Sequence, residues 1–319
     1  MEQSLHWSRS ELWIRKLVYP GHTLPTAAAP ALVAAGLAAH DGVLRAWQLG
    51  AALLAGWLIQ LGGVLADNRV NLRSEPDDRE HPELVQALRD GRLSLRSLDR
   101  ALWACFLVAI LLGAYLVHEA GLGVLAIGAA SIAASLAYSA GPAPIGRLGL
   151  ADPLFFLFFG LVSVAGMYYV QAAPAHGAVL SSWIVADALP LCAVALGIPV
   201  GALTTNILII DDIRDRSYDA VKGKRTVAVR FGSGWSRAEF AALLLVAYVA
   251  LFWLWIDLGF GPWVLLPLLS LPYAVSTARD VFASDRHEDL VPVTPKAGRL
   301  LLGFSLLLGI GVALPAMRA

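Results

Sequence analysis

Three aspartates recur at four-residue intervals in one polar stretch of the chain: Asp211, Asp215 and Asp219. On a helix this spacing places the carboxylates on one face, where they repel each other unless cations neutralise them. A hard divalent cation such as Mg²⁺ prefers a few carboxylates and brings phosphate oxygens with it. Basic residues suited to neutralise the carboxylates or to meet those phosphates directly are Arg214, Arg216, Lys222, Lys224 and Arg225. The stretch therefore predicts a metal–diphosphate site, and the alternative interpretation is a solvated loop of mixed charge.

A second acidic stretch near residue 70 repeats this spacing. Asp67, Asn71 and Glu75 lie four residues apart, and Asp77 follows Pro76. A diphosphate carries about three negative charges, and it needs metal ions and cationic side chains to be held in a low-dielectric cavity. Two oxygen-rich faces closing around one such anion would meet that need. The predicted Mg²⁺ ligands are Asp67, Asn71, Glu75, Asp77, Asp211, Asp215 and Asp219. A plain solvated loop is the alternative here too.

Further polar residues around the first stretch are candidate substrate contacts, namely Asn68, Arg69, Arg79 and Gln60. Gln60 lies inside an apolar run that precedes Asp67, so it faces either a neighbouring helix or the cavity. Polar residues at membrane depth are functional by default, and this favours the cavity.

The composition indicates that these residues belong to an integral membrane protein. The 319 residues are 58% hydrophobic and 15% charged, and the mean hydropathy is +0.66, whereas soluble domains carry about 25% charged residues. The length suits a single membrane domain, 1–319. A net charge of zero excludes a basic nucleic-acid-binding domain. Cys105 and Cys192 lie in apolar runs and are interpreted as packing residues.

The apolar runs are long enough to cross a bilayer as helices, which need about 17–25 residues each. They show no strict alternation and exceed the length of barrel strands, so an all-α bundle is predicted. The nine predicted transmembrane helices are 22–40, 46–66, 101–118, 121–140, 153–173, 183–206, 238–256, 262–279 and 299–316.

Charge predicts the orientation of this bundle. With nine spans, only Arg45 and Arg318 of the 24 Lys and Arg residues fall on the side opposite the N-terminus. Because positive charge stays cytoplasmic, we expect a cytoplasmic N-terminus, an external C-terminus and, for a bacterial protein, the inner membrane. The amphipathic segment 1–21 is expected to lie along the interface.

Two long cytoplasmic loops, 67–100 and 207–237, carry the two acidic stretches. Each loop follows the second helix of a four-helix set. This arrangement predicts two four-helix pseudo-repeats plus one helix, around a central cavity open to the cytoplasmic side.

Several motifs resemble the UbiA superfamily of intramembrane prenyltransferases, and within it the branch that prenylates 1,4-dihydroxy-2-naphthoate in menaquinone synthesis. The residues 138–144, Tyr-Ser-Ala-Gly-Pro-Ala-Pro, are similar to that branch's Tyr-x-x-Gly-Pro-x-Pro, and the residues 19–25 resemble Arg-Pro-x-Thr-Leu-Pro. The most specific likeness is Asp211-Asp-Ile-Arg-Asp215 with Asp219 and the Gly-Lys-Arg-Thr that begins at Gly223.

The first motif departs from the family pattern Asn-x-x-x-Asp-x-x-x-Asp. Asp67, Asn71 and Glu75 keep the spacing, but an amide replaces the central carboxylate and binds Mg²⁺ more weakly. Asp77 is the candidate to supply the missing charge. Tyr19 stands where the family has its early Arg.

The resemblance implies Mg²⁺-dependent transfer of a prenyl group from a polyprenyl diphosphate to an aromatic acceptor, a naphthoate or a related quinone precursor. It implies catalytic roles for Asp67, Asn71 and Asp215, and it places Tyr138 beside the reacting carbon. Three alternatives stay open: an isoprenoid cyclase without an acceptor, a transferase with another acceptor, and a transporter or lipid-binding relic whose first motif has decayed.

Overall fold

A computed structural model describes residues 8–13, 17, 23–74, 82–139 and 144–314. The regular structure of these residues is helical throughout, and seven of the helices are long and apolar enough to cross a membrane. The all-α class is therefore confirmed. The number of nine spans and the side on which the cavity opens stay predictions.

The described helices follow the predicted apolar runs in chain order. Several continue past the ends of those runs, and short helices lie between them. The long helices are α1 (Thr23–His40), α2 (Ala46–Ser74), α3 (Leu95–Ala120), α4 (Gly123–Ser139), α5 (Ala151–His176), α6 (Leu191–Arg214), α7 (Ser233–Ile256), α8 (Leu271–Ala283, preceded by a 3₁₀ segment Pro262–Ser270) and α9 (Val293–Ala313).

The two predicted loops are shorter than expected, because the helices that flank them extend into polar sequence. Helix α2 continues through Asp67 to Ser74, and α3 already begins at Leu95, where Ser94 forms a capping box. Helices α6 and α7 likewise extend into 207–237. The ends of the apolar runs therefore did not mark the ends of the helices.

The sixth predicted span is displaced in the opposite direction. Helix α6 begins at Leu191, directly after Pro190, and not at residue 183. Pro190 is extended, at φ −67° and ψ 153°, and the segment before it contains a short 3₁₀ turn, Ala186–Ala188. Proline lacks the N–H that a preceding helical turn would need, so it is placed better at a helix start than inside one.

Helix α6 is the central element of the bundle. It packs against α5, α7 and α9, and most of its length is buried. A helix that is apolar all round is stable only with such complete burial. The polar end of α6 carries Asp211, so the surrounding helices determine where this carboxylate emerges.

Helices α1 and α9 cross at two glycines. A Cβ placed on Gly36 would lie 2.3 Å from the backbone oxygen of Gly309 and 2.7 Å from its Cα. Backbone cannot give way as a flexible side chain can, so the two helices approach this closely only because both residues are glycine.

We therefore expect Gly36→Ala to destabilise the bundle by about 1–3 kcal/mol, the usual effect of overpacking. Thermal unfolding of the purified protein in detergent would measure this. Gly50→Ala on α2 is the matched control, since a Cβ there meets nothing within 4 Å. Equal unfolding temperatures for the two variants would contradict the close crossing.

Candidate active site

A polar cleft lies where the two acidic motifs approach each other. It contains residues from α2, from the end of α4, from the turn that follows α4 and from the second motif. Its lining residues are Asp67, Val70, Asn71, Tyr138, Ser139, Pro144, Gly146, Arg147 and Lys224. Asp67, Asp211, Asp212 and Asp219 all interact electrostatically with Tyr138. The two motifs, whose first residues Asp67 and Asp211 are 144 positions apart in sequence, thus lie near each other in the fold.

The first motif lies on the last two turns of α2. One helical turn separates Asp67 from Asn71, and Asn71 Nδ2 donates a hydrogen bond of 3.1 Å to Asp67 Oδ2. Because the amide nitrogen is directed at Asp67, the amide oxygen is the atom of Asn71 that a cation would contact. The other predicted residues of this motif, Glu75, Asp77 and Arg79, lie outside the described residues.

The second motif spans a helix break. Helix α6 ends at Arg214, Asp215 adopts φ −97° and ψ 6°, and a short helix, Arg216–Val221, follows. The predicted single helical face is therefore divided between two helices. One-turn spacing is still maintained, because Asp215 N donates to Asp211 O at 2.8 Å and Asp219 N donates to Asp215 O at 2.9 Å.

Cationic side chains neutralise the carboxylates of the second motif. Arg214 places Nη1 2.5 Å from Asp211 Oδ1, and it places Nη2 and Nε 2.5 and 2.9 Å from the two oxygens of Asp215. Lys224 Nζ lies 2.7 Å from Asp219 Oδ1. Asp215 and Asp219 are only 5% and 2% exposed. Buried carboxylates are stable only when paired in this way.

Two contacts to the second motif come from the residues 287–294, which run from a short helix into the first turn of α9. The sequence analysis did not single out these residues. Thr294 Oγ1 donates to Asp211 Oδ1 at 2.7 Å and accepts from Arg214 Nη1 at 3.1 Å. His287 Nδ1 lies 3.0 Å from Asp215 Oδ1, as an ion-pair approach without hydrogen-bond alignment. The predicted topology placed this segment on the same side as both motifs, and this was the available signal.

Three predicted substrate contacts are not among the residues that line this cleft, and each has a hydrogen-bond or ion-pair partner of its own. Gln60 Nε2 donates to Thr26 Oγ1 of α1 at 2.7 Å, so the neighbouring-helix alternative is the one observed for its amide. Asn68 Nδ2 donates to Val64 O within α2. Arg69 forms an ion pair with Asp99 of α3.

The remaining predicted cations surround the second motif at different depths. Arg225 is exposed, and its backbone N–H donates to Arg147 O at 2.9 Å. Lys222 is half-buried at the end of the short helix 216–221. Arg147, which the sequence analysis used only for orientation, reaches the cleft lining. The Arg225–Arg147 hydrogen bond holds the short helix Ile145–Leu148, which follows α4, against the second motif.

A row of aromatic rings leads from the cleft into the bundle. The Tyr138 ring lies 5.8 Å from Phe155, and Phe155 lies 4.9 Å from Phe159. The last ring of this row, Phe159, lies on a π-helical stretch, Phe156–Val162, within α5. Such stretches are frequent at functional sites. Here Gly160 packs directly against the backbone of α6, where an added Cβ would lie 2.5 Å from Gly201 Cα.

The donor set of the cleft suits Mg²⁺. Its candidate ligands are carboxylate and amide oxygens, the hard donors that Mg²⁺ prefers. Within the described ranges, no three His, Cys, Asp or Glu side chains are grouped around one metal position. A Mg²⁺ ion here would therefore need water or substrate phosphate oxygens beside one or two carboxylates.

Oxygen donors, cations and an aromatic row thus lie together at one end of an apolar helical bundle. The chain belongs to the UbiA prenyltransferase family, which matches residues 27–294, and it is a prenyltransferase. This confirms the resemblance based on the second motif.

Two curated relatives align with most of this chain. The 1,4-dihydroxy-2-naphthoate octaprenyltransferase of Mycobacterium tuberculosis is 30% identical over 89% of this chain and 91% of its own length. The enzyme of the same name from Escherichia coli is 30% identical over 93% and 92%. A UbiA homologue from Archaeoglobus fulgidus, solved with DMAPP and Mg²⁺, shares the fold, with a TM-score of 0.60, 13% identity, and coverage of 93% of this chain and 99% of that one.

Removal of the Arg214 guanidinium should destabilise the protein without ligand, because it takes away the cation that bridges the carboxylates of Asp211 and Asp215. We expect Arg214→Ala to lower the free energy of unfolding by about 3 kcal/mol, near the lower end for a broken buried ion pair. Denaturation of the purified protein in mixed micelles would measure the change. The exposed neighbour Arg216 supplies the control, since Arg216→Ala should stay within about 0.5 kcal/mol of wild type. A similar loss of unfolding free energy in both variants would refute the stabilising role of the Arg214 ion pairs.

Proposed function

We propose that the protein transfers the prenyl group of a polyprenyl diphosphate to 1,4-dihydroxy-2-naphthoate, or to a related quinone precursor, in a Mg²⁺-dependent reaction. The observation that carries this proposal is the cleft in which Asp67 and Asn71 of the first motif meet Lys224 of the second beside Tyr138. The names of the curated relatives support the naphthoate acceptor. The Mg²⁺ and DMAPP of the Archaeoglobus homologue support the metal and the donor.

Two groups of side chains would hold the diphosphate in this reaction. Asp67, Asn71, Asp211, Asp215 and Asp219 are the described candidates for Mg²⁺. Bound Mg²⁺ would supply neutralisation of the negative charge that develops on the leaving diphosphate. Cationic side chains that lie beside these carboxylates or in the cleft lining are Arg214, Lys224 and Arg147. They can turn toward phosphate oxygens once the carboxylates have another cation.

The apolar part of the site would protect the reactive part of the substrate. Cleavage of the allylic C–O bond releases diphosphate and leaves an allylic cation, which an electron-rich ring carbon of the acceptor attacks, with loss of the carboxyl group in the naphthoate case. The rings of Tyr138, Phe155 and Phe159 can stabilise such a cation through their faces and exclude water, which would otherwise trap it.

The orientation in the membrane is part of this proposal. The cleft lies at the end of the bundle that carries both acidic motifs, and the charge bias of the sequence supports a cytoplasmic position for that end. Diphosphate and acceptor would then enter from the cytoplasm, while the prenyl tail stays in the bilayer of the bacterial inner membrane.

The proposed reaction predicts a defined product. Membranes that contain the protein, incubated with a polyprenyl diphosphate, 1,4-dihydroxy-2-naphthoate and Mg²⁺, should form the prenylated, decarboxylated naphthol, identified by mass spectrometry. Asp67→Ala, which removes every side-chain oxygen at this position, should reduce the rate by about 100-fold or more, the loss expected when a charge-stabilising group is removed. The exposed Asp187 gives the control, since Asp187→Ala should leave the rate unchanged.

The same assay distinguishes the alternatives. Diphosphate release without a prenylated acceptor would indicate a cyclase, and a product only with other aromatic acceptors would change the substrate. A transport activity that persists in Asp215→Ala and needs no Mg²⁺ would overturn the enzyme function for this site.

The amide at position 71 predicts a trade-off between metal affinity and stability. Asn71→Asp adds a carboxylate beside Asp67, so we expect lower thermal stability without metal. With the extra charged ligand, the Mg²⁺ concentration for half-maximal activity should fall by about threefold or more. Asn68→Asp, on the same helix but away from the cleft, should lose stability without a lower Mg²⁺ requirement. An unchanged requirement in Asn71→Asp would remove Asn71 from the metal site.

A further inference from the structure

The residues 287–294 supply a third set of contacts to the acidic site. They run from the short helix His287–Leu290 into the first turn of α9. Thr294 is 2% exposed, and its hydroxyl lies between the Asp211 carboxylate and the Arg214 guanidinium. His287 approaches Asp215, and its ring packs edge-on against Tyr218, at 5.6 Å between centroids and 88° between planes.

The Thr294 contact determines the direction of the Asp211 carboxylate. The terminal torsion of an aspartate is broad, so the backbone of α6 alone does not fix where the oxygens of Asp211 point. A hydrogen bond of 2.7 Å from a buried hydroxyl on another helix does fix it. Hydrogen bonds of this kind orient ligating carboxylates in metal sites.

Thr294 also contacts both members of the Asp211–Arg214 ion pair. If the guanidinium turns toward a phosphate, Asp211 loses one hydrogen-bond donor but keeps the Thr294 hydroxyl. The carboxylate would therefore stay in place while its counter-ion is exchanged. Arg214 alone could not keep the Asp211 carboxylate in place during this exchange, because Arg214 is itself the group that moves.

We propose that Thr294 and His287 are positioning residues for the second acidic motif, which hold Asp211 and Asp215 in the orientation that binds Mg²⁺ with diphosphate. The inference rests on the proposed function, because it takes these two carboxylates as metal ligands. It adds the residues 287–294 to the two acidic motifs as a third structural part of the site.

Mg²⁺ binding to the full-length protein tests this inference without an activity assay. The protein in nanodiscs is titrated with Mg²⁺ in the presence of inorganic diphosphate, and the rise of the unfolding temperature gives the half-saturating concentration. Thr294→Val, which keeps the shape but removes the hydroxyl, should raise that concentration about 10-fold, as expected when an outer hydrogen bond to a ligand is lost. Thr294→Ser should return it to within about twofold of wild type.

Thr277 provides a matched control on the neighbouring helix α8. It is also a fully buried threonine, but its hydroxyl donates to the backbone oxygen of Tyr273. Thr277→Val should change the unfolding temperature without metal but leave the Mg²⁺ concentration for half-saturation unchanged. A merely structural role for Thr294 would give the same result as this control.

The outcomes separate the inference from the function on which it rests. Stabilisation of the wild type by Mg²⁺ and diphosphate, together with an unchanged half-saturating concentration in folded Thr294→Val, would overturn the positioning role alone. No stabilisation of the wild type would overturn the metal-dependent function itself. If Thr294→Val does not fold, His287→Ala gives the reading: a raised concentration that His287→Gln partly restores supports the inference, and an unchanged concentration refutes it.

Discussion

Neutralisation of buried carboxylates is the constraint on which this site depends. Asp215 and Asp219 are almost completely buried, and a carboxylate in such a place is unstable without a counter-charge. The chain supplies the counter-charges locally, from Arg214 one residue before Asp215 and from Lys224 five residues after Asp219. Each carboxylate of the second motif therefore has a cationic partner before any ligand binds, and a ligand that reaches these carboxylates must exchange partners with the ion pairs.

The helical scaffold makes this arrangement possible by bringing distant segments to one place. Helix α6 carries Asp211 at its polar end, and the close packing of Gly160 against Gly201 ties it to the π-helical stretch of α5. The same stretch carries Phe159, the far end of the aromatic row that begins at Tyr138. A change in the α5–α6 contact would thus move the charged part and the apolar part of the site relative to each other.

The sequence predicted those features that depend on local pattern. Hydropathy located the helices, and four-residue spacing located both acidic motifs, because each signal is read within one segment. Which face of α2 meets a neighbour was not readable, and so the ion pair of Arg69 with Asp99 of α3 was not predicted. Thr294 was missed because its contact to Asp211 joins residues 83 positions apart. The polar end of α2 was taken for a loop because loss of hydropathy was equated with loss of helix.

Exchange of ion pairs also bears on which ligand such a site would accept under the proposed function. Diphosphate alone would draw Arg214 and Lys224 away from Asp211, Asp215 and Asp219 and leave buried carboxylates without counter-charge. Mg²⁺ alone would displace the two cations without giving them a new anion. A metal–diphosphate complex supplies both charges at once, so that each carboxylate and each side-chain cation has a partner after the exchange. The paired charges would therefore favour joint binding of metal and diphosphate over binding of either alone.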